Sequence, residues 1–252
     1  MKRIALITGA TSGIGKATAE KFAQNNIDLI ITGRRNERLV SFAKELIEKY
    51  NIKVKALNFD VRDNEQVEKY LNSLEPEWRE IDILVNNAGL AAGKDAIQEA
   101  LLSDWEQMID TDVKGLLYVS RVVLPWMCKR MKGHVINICS IAGKEVYAGG
   151  SVYCAVKHAV DAISKGMRID CLPYNIKVTN ICPGAVETEF SMVRFKGDKE
   201  KNDATYRGFT PLTGEDIADT ITYCALLPEH VNINDLVIMP TAQANSGLFF
   251  RK

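Results

Sequence analysis

The stretch IALITGATSGIG, residues 4–15, decides the fold. Its first five residues, IALIT (4–8), read as a short strand, and the chain then runs directly into a glycine-rich turn that opens an apolar helix. Gly9 permits a tight turn, while Gly13 and Gly15 let the backbone approach a pyrophosphate and let the helix pack on the strand. The helix N-terminus adds free N–H groups and a partial positive charge, both of which attract phosphate. Strand, glycine turn and helix in immediate succession predict the first unit of a dinucleotide-binding domain.

Working outward, the same rhythm continues. DLIITG (28–33), KVKALNF (53–59), IDILVNN (81–87), HVINICS (134–140), KVTNIC (177–182) and DLVIMP (235–240) read as further strands. Helical periodicity lies between them, over about 14–26, 36–50, 64–74, 103–131, 152–171 and 214–227. Alternating strands and helices predict an α/β protein, a doubly wound parallel sheet of seven strands with helices on both faces. No linker, repeat or low-complexity tract divides residues 1–252, so one Rossmann-like catalytic domain is expected. Residues 184–213 have weak periodicity and many charges, which predicts a long functional loop, a lid over the site. A tail over 241–252, ending LFFRK, is expected to add contacts or cover the pocket.

Composition narrows the function. Lys plus Arg and Asp plus Glu both total 32, giving zero formal net charge, and no long basic run occurs. Neither a nucleic acid nor a membrane is an expected partner; a small-molecule substrate is. The six cysteines include no C-x-x-C pair and lie mostly in apolar stretches, which predicts buried reduced thiols, no metal site and a cytoplasmic setting. The apolar run Ile4–Ile7 is too short for the core of a signal peptide.

Three local features point to chemistry. The second strand ends at Gly33, where an NAD-binding chain offers a carboxylate to the ribose, and here Arg34 and Arg35 follow instead. Paired guanidinium hydrogen bonds suit a 2′-phosphate, so NADP is the expected cofactor. Tyr153 and Lys157, four residues apart on a helix, share one face, and an ammonium beside a phenol pulls its pKa toward neutrality, where proton transfer is efficient. Ser140 stands at the carboxyl end of a strand, where open α/β sheets place ligands, and its hydroxyl suits a substrate oxygen. His134 and His158 are not needed for this chemistry; His158 points away from the Tyr153 face.

Taken together, TGATSGIG, Asn86-Asn87-Ala88-Gly89, Ser140, Tyr153-x-x-x-Lys157 and Pro183-Gly184, in this order along the whole chain, resemble the short-chain dehydrogenases/reductases. That resemblance implies that Gly9, Thr11, Ser12, Gly13, Ile14 and Gly15 cradle the cofactor's phosphates and that Asp60 and Val61 lie by its adenine. It places Asn87, Ala88 and Gly89 by the ribose and Pro183, Gly184, Val186 and Thr188 by the nicotinamide. It also implies a dimer or tetramer through the helices at about 103–131 and 152–171, where Leu116, Leu117, Val122, Val123, Leu124 and Trp126 exceed one core stripe. Asp112 departs from the family, which places asparagine there in a proton relay; a carboxylate favours protonated Lys157 and opposes phenolate at Tyr153.

Within the family the chain is most similar to the NADP-dependent 3-hydroxy acid dehydrogenases, the serine and allo-threonine dehydrogenases among them. DWEQMIDTDVKGLLYVSRVVLP (104–125), YAGGSVYCAVK (147–157), EFSMVRFKGD (189–198) and VNINDLVIMPTAQANSG (231–247) carry that similarity. It implies a small 3-hydroxy or 3-oxo acid as substrate, whose carboxylate needs a cation: Arg194 first, with Lys196 and Arg207 as alternatives. A carbonyl reductase for a ketone, sugar or acyl thioester, and a non-catalytic NADP-binding regulatory protein, are the competing readings.

Overall fold

In the computed structural model, which describes residues 2–252, the strands β1 (Ile4–Ile7), β2 (Asp28–Gly33), β3 (Val54–Asn58), β4 (Ile83–Asn86), β5 (Gly133–Ile138), β6 (Ile176–Pro183) and β7 (Asp235–Ile238) form one sheet. Its order is β3-β2-β1-β4-β5-β6-β7, and every pairing is parallel. Chain order therefore reverses direction between β1 and β4, and the crevice at their carboxyl ends is the ligand position of such a sheet.

The strands are apolar on both faces because helices cover both. Ala5, Ile7, Leu29, Ile31, Ile83, Val85, Ile136 and Ile138 pack toward α1 (Gly13–Gln24), α2 (Asn36–Tyr50) and α9 (Gly214–Leu226). The alternate residues Leu6, Ile30, Leu84 and Val135 pack toward α3 (Asn64–Asn72), α5 (Leu116–Arg130) and α6 (Ser151–Asp170). Each covering helix carries a matching stripe; on α2 it is Leu39, Phe42, Ala43 and Leu46, at the i, i+3, i+4, i+7 spacing. On α6 the buried stripe includes Tyr153, Val156, Lys157, Val160, Ser164 and Met167, so the polar groups of Tyr153, Lys157 and Ser164 lie on the core-facing side.

Two expectations are corrected. The helix read as continuous over 103–131 is α4 (Leu102–Met108), a π-helical turn (Ile109–Gly115) and α5. The wider turn leaves the apolar period nearly unbroken, which hides it from sequence, and it contains the fully buried Asp112. The segment 184–213 is not a plain loop: it holds α7 (Glu189–Arg194) and α8 (Lys199–Tyr206), started by the side chains of Thr188 and Asp198. Helices this short and charged leave no periodic signal.

The apolar surplus read along α5 is mostly intramolecular. Leu116 and Val123 are buried in the core, Val122, Leu124 and Trp126 pack against it, and Leu117 is exposed. The tail packs on the 184–213 segment: the Phe249 ring centre lies 5.0 Å from that of Phe209, and Lys252 N donates to Gly208 O at 2.8 Å. No described helix is long and apolar enough to cross a membrane, and the six cysteines are free.

Candidate active site

A cleft of about 340 Å³ opens at the carboxyl ends of β1, β4, β5 and β6. Gly9 turns the chain out of β1 at φ +68°, and a Cβ there would approach Ala88 Cα to 3.0 Å. Gly15 packs the first turn of α1 so closely that a Cβ would lie 2.4 Å from Asn87 Nδ2 and 2.6 Å from Gly9 O. Asn87 in turn ties β4 to this loop, its Nδ2 donating to Thr8 O at 2.8 Å, while Thr8 Oγ1 accepts from the Asn87 and Ala88 amides. The first turn of α1 contains no acidic residue and receives no side-chain cap, so its N–H groups face the cleft without an internal anion.

Residues expected at a cofactor line this cleft: Thr11, Ser12, Gly13 and Ile14 at the loop, Arg34, Arg35, Asp60 and Val61 at one end, Asn87 to Gly89 in the middle, and Pro183, Gly184, Val186 and Thr188 at the other. Gly15 stands behind the wall rather than in it. The two arginines diverge. Arg35 donates through Nη2 to Thr11 Oγ1 at 2.9 Å and Ser12 Oγ at 2.7 Å, whereas Arg34 lies 3.7 Å from Asp60. Asp60 is also gripped by Arg62, and these cations hold its carboxyl below the usual range although burial works against them.

Ser140, Tyr153 and Lys157 meet in the same cleft. Ser140 Oγ accepts from Ala142 N at 3.1 Å and contacts Pro183 O at 3.4 Å, fixing it beside β6. Lys157 donates to Ile138 O at 3.1 Å and makes a 2.8 Å ion pair with Asp112, whose other oxygen accepts from Leu90 N at 3.0 Å. Both side chains of that pair are inaccessible or nearly so, at 7% for Lys157 and 0% for Asp112.

The expected fall of the Tyr153 pKa does not occur. Burial pushes it up to about 12; Lys157 pulls the other way, but Tyr147 and Asp112 reinforce the rise. Burial opposes the charge on Lys157, but Asp112, together with Tyr153 and Cys139, holds the ammonium above its ordinary pKa. Asp112 itself is pushed up by burial against the pull of Lys157. Sequence spacing supplied the cation but not the desolvation and counter-charge around it.

Arg194 packs against Tyr153 in a small pocket beside the cleft rather than in the cleft's own wall, and the two alternatives stand apart from it. Its Nε donates to Gly93 O and its Nη1 to Tyr147 Oη, both at 3.0 Å, and the guanidinium lies 5.5 Å from the Tyr153 ring centre. Its Nη2 is buried with no protein partner. Lys196 instead pairs with Asp104 at 2.8 Å, and Arg207 is exposed, its carbonyl accepting from Arg251. His134 is a core residue bonded to Thr179, with burial lowering its pKa to about 3, and His158 is exposed on α6.

Several contributors escaped the sequence reading. Tyr147 orients Arg194, Phe190 meets the Tyr153 ring edge-on at 5.8 Å, and Glu189 pairs with Arg35 and Arg38. A buried amide relay, Asn86 to Asn137 at 2.9 Å and Asn137 to Ser164 at 2.9 Å, ties β4, β5 and α6 together under the site. Only the repeated polar residue late in apolar strands, Asn86, Asn137 and Asn180, signals it in the sequence.

Known proteins match this architecture. The profile of the short chain dehydrogenase family covers residues 3–199. The chain is 48% identical over 246 residues to the NADP-dependent 3-hydroxy acid dehydrogenase YdfG of Salmonella typhi, covering 97% of this chain and 98% of that one. It is 44% identical to sulfoacetaldehyde reductase 2 of Chromohalobacter salexigens, with 98% of each chain covered. The closed form of a serine dehydrogenase complexed with NADP+ superposes with a TM-score of 0.92 at 46% identity, covering 99% of both chains. With the glycine turn, the Ser140, Tyr153 and Lys157 cluster and the sheet order all in place, the chain belongs to the short-chain dehydrogenase family and is an oxidoreductase.

Proposed function

We propose that this protein is an NADP-dependent oxidoreductase that interconverts a small 3-hydroxy acid and its 3-oxo acid, of the serine, allo-threonine or 3-hydroxypropionate type. The cleft fits a dinucleotide phosphate: the α1 N-terminus lacks an internal anion, and Arg34 and Arg35 stand where a 2′-phosphate would lie. Gly9, Thr11, Ser12, Gly13 and Ile14 would hold the diphosphate, Asp60 and Val61 the adenine, and Asn87 to Gly89 with Lys157 the ribose. Pro183, Gly184, Val186 and Thr188 would line the nicotinamide. When bound, NADP+ supplies the hydride acceptor.

The chain's own residues handle the proton. Ser140 Oγ holds the substrate oxygen, and Tyr153 takes its proton during oxidation or returns it during reduction. Lys157 favours the phenolate, and Asp112 sets how strongly it does so. Burial of the cluster keeps water from competing for the transferred proton.

The observation that carries acid specificity is Arg194, a cation fixed beside the Tyr153 ring with one buried donor unclaimed. A substrate carboxylate would satisfy that donor and restore charge balance. The relatives' names agree on a small acid group, carboxylate or sulfonate, in the substrate. NADP+ reduction measured with a panel of 3-hydroxy acids and their neutral alcohol counterparts tests this, run beside Arg194→Ala. A charged hydrogen bond contributes about 1.5–3 kcal/mol, so the variant should raise KM for the acid about ten- to hundredfold. Equal turnover of neutral alcohols would support a carbonyl reductase, and NADPH binding without turnover a regulatory protein; either result overturns the proposal.

A further inference from the structure

Arg35 is committed before any ligand arrives. Its Nη2 and Nε face the hydroxyls of Thr11 and Ser12, and its Nη1 donates to Glu189 Oε2 at 2.6 Å. The other Glu189 oxygen accepts from Arg38 Nη1 at 2.9 Å, so one carboxylate spans two guanidinium groups at the start of α2. Arg35 and then Arg38 hold the Glu189 carboxyl below the ordinary range, so it is an anion at neutral pH. Glu189 opens α7, and Arg194 closes the same six-residue helix, over Tyr153. Thr188, immediately before it, packs against Gly13 of the glycine turn.

We propose that Glu189 is a specificity-determining internal competitor of the cofactor's 2′-phosphate: its carboxylate, held on its other side by Arg38, occupies the Arg35 donor that the phosphate needs and must give way when NADP(H) binds. This rests on the NADP reading above. Three features of the arrangement make the exchange workable. The side chains of Arg35, Arg38 and Glu189 are 41%, 56% and 49% exposed, so the ion pairs are screened and weak. A phosphate dianion offers more charge and three acceptor oxygens to the same fork-shaped donors. The Thr11 and Ser12 hydroxyls, which now accept from Arg35, can rotate to donate to the phosphate. A cofactor without the 2′-phosphate has nothing with which to displace Glu189 and leaves α7 pinned to α2. The competition thus lowers affinity for NADP(H) without affecting NAD(H), and it makes the helix that carries Arg194 sensitive to which cofactor is bound.

Fluorescence titration of the purified protein with NADPH and NADH, and displacement by 2′,5′-ADP, test this in the native chain, Glu189→Gln and Arg35→Ala. Glutamine keeps the size and removes the charge at an exposed position. With two exposed ion pairs removed, NADPH and 2′,5′-ADP should bind about three- to tenfold tighter to Glu189→Gln, while NADH is unchanged. Unchanged or weaker NADPH binding overturns the proposal and makes Glu189 a bystander or a clamp, and an equal gain for NADH overturns it as a phosphate-independent effect. The NADP reading fails separately, if the native chain binds NADH as well as NADPH and Arg35→Ala alters neither.

Discussion

Replacing Asp112 by asparagine should move the pH dependence of oxidation toward acid. The side chains are nearly isosteric, and the asparagine carbonyl can still accept the Leu90 amide that Asp112 now accepts at 3.0 Å. What disappears is a buried negative charge. Lys157 Nζ lies 2.8 Å from Asp112 and 5.8 Å from the Tyr153 ring centre, so carboxylate and ring are within about 9 Å of each other. At an effective dielectric of about 20, a unit charge at that distance acts with about 1.8 kcal/mol, or about 1.4 pK units. The sign follows from the charge: a carboxylate opposes phenolate, so its loss lowers the Tyr153 pKa from its elevated value near 12. The acidic limb of kcat/KM for a 3-hydroxy acid should therefore shift down by about one to one and a half units. Lys157, deprived of its counter-ion in a buried site, also gives up its proton more easily, so a fall should appear at the alkaline end and the profile should become a bell. The assay is NADP+ reduction across about pH 6 to 11, with cofactor affinity checked at each end. Superimposable profiles, or an acidic limb displaced upward, would refute the electrostatic role.

Tyr153→Phe removes only the hydroxyl, and kcat should fall about 10²- to 10⁴-fold with NADPH affinity nearly unchanged; a smaller loss would reassign the proton carrier. Gly15→Ala pushes a methyl against Gly9 O and Asn87 Nδ2, at 2.6 and 2.4 Å before relaxation, and should cost about 1–3 kcal/mol in urea unfolding while weakening NADPH binding. An unaltered midpoint and unaltered affinity would show that the glycine turn is looser than the packing implies.

The sequence was most legible where the chain's local rules and its fold agree. Strand runs buried on both faces, the glycine turn after β1 and the i, i+4 spacing of Tyr153 and Lys157 are all local, and local spacing fixes them. It was least legible where geometry depends on what packs alongside. α7 and α8 are too short for periodicity, and the π-helical turn around Asp112 differs from an ordinary helix by a shift that residue patterns do not record. Arg194 was distinguished from Lys196 and Arg207 only by their partners: Tyr147 and Gly93 hold the first against the Tyr153 ring, Asp104 takes the second, and the third stands exposed.

By itself, then, the sequence determined the doubly wound sheet, the glycine turn after β1 and the shared helix face of Tyr153 and Lys157, because hydrophobic period, backbone conformational freedom and helix geometry are properties of neighbouring residues. Only the tertiary structure decided how those groups behave. It desolvated Tyr153 until its pKa rose rather than fell, set Asp112 against Lys157, and closed Glu189 onto Arg35 from 154 positions away. Charge energies depend on distance and dielectric through space, and neither can be read from distance along the chain.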